Sequence, residues 1–328
     1  MSSEPTFQLF TSLRYDPLLL TSSENSRPDL NFVIPSPFYM LGYHRARMLE
    51  AAQHFDFHAV AKRLEDGKAL HENLLKRVEE WKSNEKKDDQ PLKLRILFDT
   101  SATMTVDLTP IPPVPLSTLY PTSFDPPSQP PKPHPANPTP SFQPSPLTGG
   151  ALTLGATDSL QPSSQPEWAL KLDTAPTPPS PFTLLKTTNR DMYDSSRSRA
   201  LPPNLSAPAF REVMLYNSVS ELTEGTLTSL YLYRGGRWVT PPVGVPSAYG
   251  PSTNEDEGEL REPFPGRWGH SIRSAKVGAG GQRGTSRRWA LGKGFCMEEP
   301  VGIESVRVGE GVWVSNGVRG FGFGRVVE

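Results

Sequence analysis

Apolar and polar residues alternate from Phe7 to Tyr15, with Phe7, Leu9 and Thr11 on one side and Gln8 and Phe10 on the other, which predicts a β-strand. Pro37 to Met40 leads into a helix whose His44, Met48, Ala52 and Phe55 recur at three- and four-residue steps along one face. A second helix is predicted from His58 to Trp81. Leu70, Leu74, Val78 and Trp81 form its buried stripe, and Gly67 is the point where it can break. The charged run Lys82 to Asp89 reads as a solvated loop. Leu92 to Phe98 and Thr103 to Leu108 read as a hairpin. Residues 1–110 are thus expected to form a small N-terminal α+β domain.

The periodicity then stops. From Pro110 onward prolines, serines and threonines crowd the chain and large apolar residues are few, so residues 111–167 are expected to be a flexible insertion. Its Pro-x-x-Pro spacings suit SH3-type or WW-type partners, although such spacings arise in any proline-rich tract. Alternation returns at Trp168 to Leu172. A helix with polar cover is predicted from Lys186 to Arg199, followed by strands at Glu212–Asn217 and Thr226–Tyr233. Gly235-Gly236 makes a hairpin turn into Trp238-Val239-Thr240. A glycine-rich, acidic loop insertion occupies about 245–283. A helix begins at Ser286, and Ile303–Val306 and Gly311–Val314 read as strands. Residues 168–328 are expected to be the larger, C-terminal domain, which makes the fold class a two-domain α+β architecture.

The 328 residues suffice for about two domains. With 34 basic and 35 acidic residues, both scattered, no nucleic acid is expected as partner. The single cysteine, Cys296, can make neither an internal disulfide nor a cysteine metal cluster; a reducing compartment fits and no metal is expected. The N-terminus lacks a basic stretch followed by an apolar core, and no apolar run reaches the ~20 residues of a membrane span, so a cytoplasmic protein is expected.

Three stretches carry candidate chemistry. Lys186 follows the apolar Phe182, Leu184 and Leu185; if a helix follows, Lys186, Arg190 and Tyr193 share one face. A partly desolvated lysine beside cations is a better nucleophile. Glu224 lies in a Thr-Glu-Gly-Thr turn before a strand. Gly284-Thr285-Ser286-Arg287 opens a helix whose free amides suit a phosphate, and Arg47 could add a charged fork. Taken singly, these are also an ordinary surface lysine, a turn glutamate, an N-cap and a surface arginine. Together, a lysine that can form an imine, an acid for a pyridine nitrogen and a phosphate turn are what pyridoxal phosphate needs.

These stretches resemble the class IV, fold-type IV pyridoxal phosphate enzymes, which include branched-chain and D-amino acid aminotransferases and aminodeoxychorismate lyase. Phe7 to Arg14 looks like their opening strand. His44-Arg45-Ala46-Arg47-Met48 is similar to their His-x-x-Arg-Leu helix, and Lys186 to Asp194 to their Lys-Thr-Thr-x-Arg-x-x-Tyr-Asp segment. Gly236 to Pro242 resembles their Thr-Pro-Pro hairpin, and Asn316-Gly317-Val318-Arg319-Gly320 their Asn-Ser-Val-Arg-Gly. The resemblance covers residues 7–108 and 168–328 without the two insertions, and is greatest to the lyase. It implies a D-amino acid aminotransferase-like fold and a homodimer. It implies that Lys186 carries the cofactor, Glu224 faces the pyridine nitrogen and Arg47 binds phosphate. The amides around Thr285, Ser286 and Gly317 would complete the phosphate cup. Arg14, Arg190, Tyr193 and Arg319 would line the substrate pocket.

The activity so implied is cleavage of 4-amino-4-deoxychorismate to p-aminobenzoate and pyruvate. An aminotransferase on the same scaffold, acting on branched-chain or D-amino acids, is the alternative. An inactive scaffold working through its proline-rich segment is the second. Two departures bear on activity: Ser229 stands where the family has asparagine, and the 245–283 loop is short in relatives. The chain also starts at the family's second motif.

Overall fold

In the computed structural model, which describes residues 7–125, 166–201, 210–243 and 280–328, the first hundred residues build a three-stranded antiparallel sheet backed by helices. Strand β1 (Leu9–Tyr15) pairs with β2 (Leu92–Phe98), and β2 with β3 (Met104–Pro110). Helices α1 (Leu41–His54), α2 (His58–Arg63) and α3 (Gly67–Glu85) pack on one face. Leu9 and Leu13 of β1, Leu94 and Ile96 of β2, Met48 and Ala52 of α1, and Leu74 and Val78 of α3 share that core.

The predicted single helix from His58 to Trp81 is two. Asp66 caps α3, its carboxylate accepting from the amides of Lys68 and Ala69. Gly67 is required there because a Cβ would lie 2.5 Å from the Phe32 ring. The run expected to be a solvated loop from Lys82 starts as helix, since α3 continues to Glu85 with Lys82 paired to Glu79 at 2.7 Å.

The second half forms an eight-stranded mixed sheet, ordered β6-β5-β4-β11-β10-β7-β8-β9. Its strands are β4 (Trp168–Leu172), β5 (Arg211–Tyr216), β6 (Leu222–Gly225), β7 (Ser229–Arg234), β8 (Arg237–Thr240), β9 (Met297–Glu298), β10 (Gly311–Asn316) and β11 (Gly320–Val326). Helices α5 (Pro181–Leu184), α6 (Asp191–Ala200) and α7 (Thr285–Gly292) accompany it. The expected strand at Ile303–Val306 is instead a 3-10 turn over Ile303–Ser305, closed by the Ser305 hydroxyl on the Gly302 carbonyl at 2.7 Å.

The stretch expected to be flexible from residue 111 is packed at its start. Helix α4 (Leu116–Leu119) and the residues after it bury Leu119, Tyr120 and Phe124 against Leu30 and Tyr39 of the first half and Tyr231, Trp289 and Phe321 of the second. The Tyr120 hydroxyl donates to Asn25 Oδ1 at 2.6 Å, and the Trp313 indole donates to the Phe124 carbonyl at 2.6 Å. Three large side chains among the prolines are enough to anchor it. The rest of that insertion with most of its Pro-x-x-Pro spacings (126–165), and most of the 245–283 loop, lie outside the described residues. Among the described residues no helix is long and apolar enough to cross a membrane.

Strand β1 joins the halves. One of its edges pairs with β2; the backbone groups of the other must find partners elsewhere. They find them in the second half. The Phe10 amide donates to the Lys186 carbonyl at 3.2 Å, the Thr188 amide to the Gln8 carbonyl at 2.9 Å, and the Arg14 amide to the Gly317 carbonyl at 3.2 Å.

Candidate active site

Lys186 is not on a helix. It sits in an extended segment bridged to β1, and α6 starts only at Asp191. Its Nζ lies 4.8 Å from the centre of the Phe10 ring. Burial, then the charges of Arg47 and Arg190, pushes its amine well below the usual lysine range. The side chain keeps part of its surface open to the cleft while protein surrounds it on most sides.

Glu224 is on strand β6, not in a turn; the turn follows at Thr226–Thr228. The Tyr193 hydroxyl donates to its Oε1 at 2.6 Å and the Gln282 amide to its Oε2 at 3.1 Å. The Gln282 side-chain amide donates in turn to the Tyr193 oxygen at 3.0 Å. Gly281, at φ +100°, lets this segment run against β6, where a Cβ would lie 2.9 Å from the Thr223 carbonyl. Burial pushes the Glu224 carboxyl up to about 7, against the lowering pull of these donors, Lys186 and Arg190. Arg190 stacks over the Tyr193 ring at 4.7 Å and donates to the Thr226 carbonyl at 3.1 Å. Lys186, Arg190, Tyr193 and Glu224 are therefore brought together, each within the field of the others.

Below Glu224 lies a residue that sequence reading missed. Glu212 of β5 is fully buried and accepts from the hydroxyls of Thr226 at 2.6 Å and Thr228 at 2.7 Å, and from the amides of Val213 and Leu227. It fixes the turn that carries Glu224 into place. Nothing in the local sequence separates it from an ordinary strand glutamate.

The other end of the site gathers Thr11 of β1, His44 and Arg47 of α1, the start of α7, and the β10–β11 turn. The Arg47 guanidinium donates to Thr11 Oγ1 at 2.7 Å, and the same hydroxyl is hydrogen-bonded to His44 Nδ1 at 2.8 Å. His44 is fully buried, and burial and Arg47 hold its pKa well below the histidine range. The other ring nitrogen, Nε2, lies 3.4 Å from Thr285 Oγ1. Arg47 Nε is buried with no hydrogen-bond partner. Helix α7 starts without a side-chain cap. Gly317 keeps the space open: a Cβ there would lie 2.5 Å from His44 Cε1 and 2.8 Å from Thr285 Oγ1. A cavity of about 190 Å³ opens beside Arg47, Glu50, Gly284 and Thr285.

The Ser286 hydroxyl faces inward, donating to Ser315 Oγ at 2.8 Å, so only its amide is left at the helix start. Ser229, the departure from the family pattern, packs beside Gly284, where a Cβ would lie 2.4 Å from its hydroxyl. Arg287 ties α7 to β8 through Thr240 Oγ1 at 3.2 Å and the Pro241 carbonyl at 2.8 Å, which gives the Thr-Pro-Pro motif a structural reason. Asn316 holds the Gly317 turn, its Oδ1 accepting from the amides of Val318 and Arg319.

Two expected pocket residues are not in the pocket. Arg14 is buried and turned to Asp16 at 2.6 Å and to the carbonyls of Val318 and Pro112; it ties the hairpin turn to β1 instead. Arg319 stacks on Trp168 and Phe210 at 5.4 and 5.5 Å, rather than beside Lys186.

An anion fits the His44–Arg47 end: a buried guanidinium nitrogen lacks a partner, a helix start has no side-chain cap and a glycine leaves the room. The Glu224 carboxyl and the Lys186 amine, which act on each other electrostatically, are an acid and an amine of the kind that a flat ring with a basic nitrogen and a carbonyl needs.

No protein-family profile matches the chain, and no curated protein matches its sequence. Solved structures do match. A Mesorhizobium loti protein provisionally named an amino-acid aminotransferase superposes over 98% of this chain and 100% of its own, at 15% identity and a TM-score of 0.51. A 4-amino-4-deoxychorismate lyase from Pseudomonas aeruginosa is similar over 98% of this chain and 83% of its own, at 15% identity and a TM-score of 0.48. A fold IV transaminase from Curtobacterium pusillum covers 98% and 79%, at 11% identity and a TM-score of 0.49. The chain has the fold of the fold-type IV enzymes, as its motifs led one to expect.

Proposed function

We propose that the chain is a pyridoxal phosphate-dependent lyase that converts 4-amino-4-deoxychorismate to p-aminobenzoate and pyruvate, as a homodimer in the cytoplasm. The observation that carries the cofactor is the pairing of two perturbed groups: a lysine whose amine is pushed well below the usual lysine range and a buried carboxyl at about 7, each in the field of the other, with the buried Arg47 guanidinium also acting on the lysine. Arg47, His44 and the amides of Thr285, Ser286 and Gly317 would hold the phosphate, and Glu224 the pyridine nitrogen. Bound there, the cofactor supplies a carbonyl that condenses with amines and a ring that accepts electrons.

The chain's own residues do the rest. With the cofactor bound, Lys186 Nζ, its pKa pushed well below the usual lysine range, would be the amine that holds it and the base that takes the proton alpha to the substrate nitrogen. Tyr193 and Gln282 hold the Glu224 carboxyl in one orientation. Loss of the enolpyruvyl group leaves the product ring aromatic. The Lys-Thr-Thr-x-Arg-x-x-Tyr-Asp run favours this lyase over an aminotransferase.

The test is the visible spectrum of purified full-length protein with and without Lys186→Ala. Wild type is expected to show a cofactor absorbance band that the variant loses, and wild type alone should release p-aminobenzoate. A colourless wild type, or a band unchanged in the variant, overturns the cofactor reading. A band shifted by branched-chain or D-amino acids, with no p-aminobenzoate formed, makes the protein an aminotransferase instead.

A further inference from the structure

One of the two residues that hold Glu224 is carried on a short strap, residues 280–284, which follows the 245–283 insertion and leads into α7. Gln282 is the working residue of this strap. Its amide donates to Glu224 Oε2 and its side chain to the Tyr193 oxygen. Gly280 and Gly281 precede it and Gly284 follows, so the backbone on either side has the freedom of glycine and must be held from outside. Arg283 and Gly284 border the cavity of about 190 Å³ beside α1, a side that packing leaves open.

On that side the strap meets Glu50 of α1. Glu50 Oε1 lies 3.6 Å from Arg283 Nε, and both side chains are mostly buried. Burial pushes the Glu50 carboxyl up to about 7, and Arg283, then Arg47 and Arg288, pull against it. Glu50 is the one acid among the residues lining the cavity, where Arg47, Arg283 and Arg288 all act on it. Without its charge these three guanidinium groups would face one another, and the one on the glycine-flanked strap would be the easiest to displace. Glu50 also follows Arg47 by three residues on the same helix, so α1 carries both the guanidinium of the anion end and the anchor of the strap.

We propose that Glu50 is a positioning residue: through Arg283 it fixes the strap so that Gln282 keeps Glu224 and Tyr193 in place, and helix α1 thereby links the two ends of the site. Glu50 acts on Glu224 through Gln282 alone. The proposal rests on the reading of Glu224 as the carboxyl of the reaction centre, whereas the holding of the strap needs no cofactor.

The test is hydrogen exchange of the full-length protein, read by mass spectrometry at about pH 8, where the Glu50 carboxyl is charged. In Glu50→Gln, exchange at 280–284 should speed up about tenfold while β2 exchanges as in wild type. Arg283→Gln should loosen the strap less, and Arg283→Lys should restore most of the protection. The double variant Glu50→Gln/Arg283→Gln should be milder than Glu50→Gln alone, because it removes both partners instead of leaving cations unmatched. Should Glu50→Gln fold poorly, the contrast between Arg283→Gln and Arg283→Lys decides. With saturating pyridoxal phosphate, Glu50→Gln should lower kcat for p-aminobenzoate release about tenfold and leave KM within about twofold. Unchanged exchange at 280–284, faster exchange throughout the chain, no rescue by Arg283→Lys, or a raised KM with kcat intact overturns the positioning role and leaves the cofactor reading standing. Faster exchange confined to the strap, in a protein without cofactor absorbance, keeps the Glu50–Arg283 anchor and sinks only the reading of the reaction centre.

Discussion

The two ends of the cleft are built on opposite plans. At the Glu224 end the polar groups are matched: Tyr193 and Gln282 hold one carboxylate, and four donors saturate Glu212 beneath it. At the His44 end donors are left over: Arg47 Nε has no partner and α7 has no side-chain cap. Buried polar groups left unmatched are costly and rare. The first end therefore has its hydrogen bonds matched within the chain, and the second, under the proposed function, is the end an anion would complete.

The comparison breaks most sharply at Glu224. Glu224→Gln removes the tunable charge while keeping the shape, and turnover should fall about a hundredfold to a thousandfold, as when one preorganised electrostatic group is lost. The same variant sharpens it in pH. The Glu224 carboxyl is raised from 4.5 to about 7 in the folded chain, so folding favours its protonated form. That contribution is complete below about 4.5 and is lost as pH rises through about 7, on the order of 3 kcal/mol. Thermal unfolding of cofactor-free protein should thus fall across this window, and Glu224→Gln should flatten the fall. Glu50, also raised to about 7, would leave a remaining slope. An unchanged slope would show that the carboxyl is already charged.

At the His44 end, Arg47→Met should weaken cofactor binding by about a hundredfold and abolish the rise in melting temperature that inorganic phosphate gives wild type. Equal stabilisation of both proteins by phosphate would mean that the anion binds elsewhere. The smallest effect is expected for Gly317→Ala. Its added methyl must displace the His44 ring or Thr285, and overpacking of about 1–3 kcal/mol should weaken the cofactor about tenfold, read by equilibrium dialysis.

Much of this was legible in the sequence, for physical reasons that differ by element. Strands β1, β2 and β4 alternate cleanly because one face of each meets a core. Lys186, Glu224 and Arg47 were singled out through their motifs, and the structure brings them within one another's electrostatic reach. Strand β11 was not found, because Gly320, Gly322 and Gly324 lower its apparent propensity. Those glycines exist for Trp168, whose ring and backbone would meet a Cβ at 2.4 and 2.3 Å at positions 322 and 324. Ile303–Val306 misled because a short apolar run has no partner written into it. Gln282, Glu212 and Glu50 depend on contacts between distant segments. Arg14 was named for its charge, which Asp16 two residues on had already claimed.

The main-chain bonds between β1 and the second half have a consequence for the order in which the protein is made. Residues 8–14 leave the ribosome early, but the carbonyls and amides they need at Lys186, Thr188 and Gly317 come much later. Until the β10–β11 hairpin exists, a nascent chain can hold the first sheet but not its outer seam. Closing that long loop becomes the late step of folding.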